Sequence, residues 1–126
     1  MTCFWDGIYR KLTDEDMKLI NSNKKINIKE FINLLKKNNK ICSKVKWQSE
    51  YLSDKLLKEN FKMIQEYNIN NINNGYLCSC CDPFIILICE IFNLNINHNY
   101  NNVNIYYTIK NNRKTLNYKS NKSHFF

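Results

Sequence analysis

The sequence predicts an α+β domain in which a helical layer packs on a small, mainly antiparallel sheet. Two observations carry that expectation. The first two-thirds of the chain hold apolar residues at helical spacing behind recognisable N-caps, and the last third switches to β-branched and aromatic residues in short runs. The 126 residues fit one domain spanning 1–126, and 44% hydrophobic residues suffice for a core without disulfide staples.

Taken in order, Cys3-Phe4-Trp5-Asp6-Gly7-Ile8 reads as the opening of a short amphipathic helix. Thr13 is an N-cap for a second, with Asp14, Glu15 and Asp16 at the positive end of its dipole. Asn27 caps a third, in which Ile28, Phe31, Ile32 and Leu35 fall at i, i+3, i+4 and i+7. Ser53 opens a fourth that runs through Leu57, Phe61 and Ile64 to about Tyr67. Residues 68–74 form an Asn-rich connector ending at Gly75. Asp82-Pro83 sets a capping carboxylate before a proline at the first helical position. Residues 84–92 after it are apolar almost all round, broken by Glu90, so this is the helix expected to be most buried. Strands are expected at 95–97, at 103–109, at 115–118 after an Asn111-Asn112 turn, and at 124–126 beyond a loop at 120–123. His98 falls in an Asn-rich loop on this reading.

Composition narrows the function classes. The chain has 23 Asn, 17 Lys and 16 Ile, no Ala and two Gly, which reads as an AT-rich genome such as that of some protozoa, slime moulds or large DNA viruses. That bias inflates the net charge of +8, yet the charge is unevenly placed: residues 24–46 carry eight Lys against Glu30 alone. Weak, salt-sensitive polyanion binding is expected from this basic protein, while no Arg cluster, RNP-like motif or zinc-finger spacing points to a sequence-reading nucleic-acid domain. The longest apolar run, residues 84–89, is far short of the ~20 residues needed to cross a bilayer, so no membrane partner is expected. The first residues lack the basic start and apolar run of a signal peptide. An intracellular protein with reduced thiols is expected, in the host cytoplasm or a virion if viral.

The chemistry-bearing residues are few. A cysteine at a helix start receives the N-terminal field that favours a thiolate, and a thiolate nucleophile needs an imidazole to take and return the proton. Cys3 stands at such a start, and the two histidines are His98 and His124. A buried thiol and a sheet-edge imidazole are the plain structural alternative. Cys78 and Cys81 form a C-x₂-C pair with Cys89 and His98 downstream, but no second pair completes a zinc set, so no metal and no cofactor is expected.

The order of these motifs resembles the ovarian-tumour (OTU) family of papain-like cysteine peptidases, in a reduced, giant-virus-like version. Cys3-Phe4-Trp5-Asp6-Gly7-Ile8 resembles the second half of the family's nucleophile motif. Residues 82–96, from Asp82-Pro83 to Asn95-Ile96, are similar to its acid-led apolar helix and following strand, and His124-Phe125 to its closing His-aromatic pair. The resemblance implies an OTU/papain-like fold and a deubiquitinase-type cysteine peptidase acting on ubiquitin or a ubiquitin-like protein. Cys3 would be nucleophile and His124 general base and acid, with Asp6, Asn121 or Asp82 as third member. Only Met1 and Thr2 precede Cys3, where the family builds much of its oxyanion hole, so the resemblance also admits a catalytically silent relic. The alternative is a non-enzymatic interaction domain on the same fold, using the Lys-rich 24–46 face to bind an acidic partner or nucleic acid.

Overall fold

The computed structural model describes residues 3–20, 27–71 and 81–120. Within them the protein is α+β, with five α-helices and a small mixed sheet of five strands. The helices are α1 (Cys3–Tyr9), α2 (Asp14–Met17), α3 (Ile28–Lys37), α4 (Asp54–Glu66) and α5 (Pro83–Phe92). The strands are β1 (Val45–Trp47), β2 (Glu50–Tyr51), β3 (Leu94–Tyr100), β4 (Val103–Ile109) and β5 (Lys114–Ser120).

The caps read from sequence are the caps found. Thr13 and Asp16 exchange reciprocal side-chain to backbone bonds, a capping box. Asn27 accepts from Glu30 N, and Ser53 from Leu56 N. Asp82 Oδ1 accepts from Ile85 N at 2.9 Å, with Pro83 at the first helical position. Removing this last cap in Asp82→Ala is expected to lower the unfolding free energy by ~0.5–2 kcal/mol. Asp82→Asn keeps an acceptor and should retain most of the stability; equal denaturation midpoints for Asp82→Ala and the parent would refute the cap's contribution.

The strands run in the order β2-β1-β4-β3-β5. β1–β2, β1–β4 and β3–β4 pair antiparallel; β3–β5 pairs parallel, from Leu94 opposite Lys114 to Tyr100 opposite Ser120. Two corrections to the sequence reading follow. The β1–β2 hairpin was not expected, because its two strands are too short to show periodicity. β3 is seven residues long and contains His98, which therefore lies in a strand and not in a loop. Its Leu94, Ile96 and His98 alternate with Asn95, Asn97 and Asn99 and face the core.

Asparagine turns the chain where glycine commonly does. Asn101 and Asn102 hold φ of 51° and 70° in the two-residue β3–β4 turn, and Asn93 holds 54° between α5 and β3. Among residues that carry a Cβ, Asn is one of the few that tolerate the left-handed conformation well.

The core lies between the sheet and the helices. α5 spans it, and every residue of the helix is buried except the half-buried Ile91. At its first turn Phe84 meets Trp5 of α1 edge-on at 4.8 Å and Tyr67 at 5.2 Å, while Trp5 Nε1 donates to the Tyr67 hydroxyl at 3.3 Å. Tyr9 stacks on Phe31 of α3 at 4.6 Å.

Candidate active site

Cys3 is the first residue of α1. Phe4, Trp5, Ile8 and Tyr9 pin that helix to the core, while Asp6 stays half-buried on its flank. α1 approaches the start of α5 through Trp5 and Phe84, and two residues further back Asp82 N donates to the Tyr107 hydroxyl of β4 at 3.0 Å. A single residue, Asn93, separates the end of α5 from β3, so the chain reverses there and β3 runs back beneath the helix toward the α5 start. β5 runs parallel to β3 and ends opposite Tyr100. The last residues of β5 are thus directed toward the end of the molecule at which α1 begins.

The opposite end is held by charge. Asp16 is fully buried and accepts from the Arg113 guanidinium and the Lys114 ammonium, each at 2.8 Å, and from Thr13 N. Burial by itself would raise this carboxyl, but the bonds from Lys114, Thr13 and Arg113 prevail and hold it down at about 2. Arg113 also donates to the Phe92 carbonyl, so the clamp ties α2, the end of α5 and the start of β5 together.

The sequence-chosen residues divide as follows. His124 and Asn121 lie outside the described residues, as does Cys78. Asp82 is buried and occupied with the α5 cap, two residues before Phe84. Cys81 is half-buried; Cys42 and Cys89 are buried free thiols. Burial, with Glu90 nearby, pushes the Cys42 thiol up to about 12, and burial pushes Cys89 higher still. Neither is a nucleophile at neutral pH. Among the described residues no group of three or more His, Cys, Asp or Glu side chains is placed to hold a metal ion. His98 is fully buried, its ring 6.2 Å from that of Tyr100, and burial lowers it to about 4, so it is neutral at physiological pH.

Of the lysines in residues 24–46, Lys24 and Lys25 lie outside the described residues, and several of the rest are engaged within the fold. Among those described, Lys36 donates to the Tyr67 carbonyl, Lys40 pairs with the buried Glu90, and Lys46 lies over the Tyr51 ring. Lys29 and Lys37 on α3 are exposed and have no ion pair among the described residues.

Sequence reasoning missed the Asp16 clamp and the inward position of His98. The second had a signal: Leu94, Ile96, His98 and Tyr100 share one side of a strand by their spacing of two. The clamp had none, because Arg113 and Asp16 are 97 residues apart in the chain. Compared with family models, curated proteins and solved structures, the chain matches none of them.

Proposed function

We propose that this chain is an OTU-like cysteine peptidase of deubiquitinase type, active or degenerate, with Cys3 as nucleophile and His124 as its general base and acid. The observation that carries the reading is topological. α1 starts at Cys3 beside the beginning of α5, and β5 is directed toward that same end, with His124 four residues past its last one. A nucleophile on a helix and a base following a strand is the division of labour a thiolate–imidazole pair needs, one group fixed by the core and the other carried by the sheet. The burial of Cys42 and Cys89, and of His98, supports the choice of Cys3 and His124 by leaving those three poorly suited to proton transfer at neutral pH. Asp6 and Asp82 remain candidates to orient the imidazole, alongside Asn121.

The test is alkylation of the native protein by iodoacetamide, with each cysteine followed by mass spectrometry. Cys3 is expected to react faster than the other five cysteines and to form an adduct with ubiquitin bearing a C-terminal electrophile. His124→Ala should abolish both advantages without moving the unfolding midpoint. An active enzyme will in addition turn over a ubiquitin–fluorophore substrate; a relic will alkylate at Cys3 and show no turnover. A Cys3 rate no higher than that of the half-buried Cys81, with no ubiquitin adduct, would reject the dyad.

A further inference from the structure

Among the described residues the sheet carries helices on one face only, and the composition of its other face is not what a solvated β-surface requires. The outward positions alternate with the core residues along β1, β3, β4 and β5, and none of them is Asp or Glu. Glu50 of β2 is the one acid within the five strands, and it pairs with the inward-facing Trp47. The outward face instead presents two tyrosines, Tyr51 at 61% exposure and Tyr106 at 47%, with Lys46 beside the first and Lys119 on the far edge strand. Between them a row of aligned residues runs across three strands: Tyr106 on β4, Asn97 on β3 and Asn117 on β5. The Asn97 carboxamide oxygen has no hydrogen-bond partner, although neighbouring atoms cover it.

We propose that this outward sheet face binds single-stranded nucleic acid. Each component matches one part of that ligand. Exposed tyrosine rings stack on bases whatever their identity, side-chain amides bond base edges, and lysines neutralise phosphates. An acid-free surface on a protein of net charge +8 admits a polyanion without local repulsion. By sheet geometry the two tyrosines sit roughly 10–12 Å apart, so each takes a different base. Lys46 Nζ lies over one face of the Tyr51 ring, 4.9 Å from its centre, which leaves the other face to stack and a charge close to the base held there. A duplex keeps its bases stacked on one another and has nothing to offer the tyrosines. This face lies across the sheet from α1 and α5, so binding here is independent of Cys3.

The test is fluorescence anisotropy of the full chain with a labelled oligothymidylate and, separately, a labelled duplex of the same length, at about 50 mM salt. The single strand is expected to bind more tightly than the duplex. Tyr106→Ala and Tyr51→Ala should each weaken it roughly 5- to 100-fold, the range for loss of one stacked base. Lys119→Ala should weaken it less and reduce the salt slope by about 0.7. Both tyrosines are surface residues, and unchanged unfolding midpoints for the variants separate lost contacts from lost folding. Three results would overturn the proposal. One is the absence of binding, which makes the face a product of codon bias. Another is a preference for duplex, or binding insensitive to both tyrosines but lost in Lys29→Ala/Lys37→Ala, which moves the site to α3. The third is a dimer by sedimentation that Tyr106→Ala dissociates, which makes a second copy the occupant.

Discussion

Replacing Asp16 with alanine is expected to lower the unfolding free energy by about 2–4 kcal/mol, read from chemical denaturation at pH 7. Removing one member of a buried charge cluster ordinarily costs about 3–5 kcal/mol, because the remaining charges are stranded. Here the stranded groups are Arg113 and Lys114, whose side chains are about one-third exposed and recover part of their hydration. That lowers the figure without abolishing it, since the two cations also then face each other unscreened. The pH dependence has a definite sign. The carboxyl is held at about 2 in the folded state against an ordinary 3.8, so its contribution is complete above pH 4 and disappears as the pH falls through 2. The shift corresponds to about 2 kcal/mol. Asp16→Asn should therefore flatten the stability profile between pH 4 and 2. A variant as acid-sensitive there as the parent would show that other carboxylates dominate.

Ile88→Ala is expected to cost about 2–5 kcal/mol, as the loss of a buried side chain plus the cavity it leaves. Ile88 is fully buried at the middle of α5, against a sheet that cannot collapse far to fill the gap. Ile91→Ala in the same helix changes the same atoms and the same helix propensity at a half-buried position, and should cost less than half as much. The difference between the two isolates burial. Equal losses, measured by urea denaturation with unchanged m-values, would mean that α5 is not the centre of the core.

The parts of this fold legible in the sequence are those determined by residues close together. Asn27, Ser53 and Asp82-Pro83 announce their helices because a cap bonds an N–H two or three residues away. The α3 stripe is visible because Phe31, Ile32 and Leu35 need only each other's spacing to define a face. The pairing of β5 with β3 was not visible, since a parallel partner leaves no local mark. Glu90 broke an apolar run for no apparent reason until the fold brought Lys44 N and Lys40 to it. For the site, the helical position of Cys3 was legible and its neighbourhood was not. Trp5 gave no hint that Phe84 and Tyr67, each more than sixty residues away, would lie against it.

The parallel pairing of β3 with β5 has a consequence for how the protein assembles and comes apart. Among the described residues β5 is an edge strand, bonded to β3 on one side, and a single residue, Asn93, joins β3 to α5. As an edge element, β5 is expected to open before the central strands, with the Asp16–Lys114 pair holding its start. Amide protons of β3 facing β4 will then outlast those of β5 in hydrogen exchange. Acid that protonates Asp16 is therefore expected to speed amide exchange along β5 before it does so along β4.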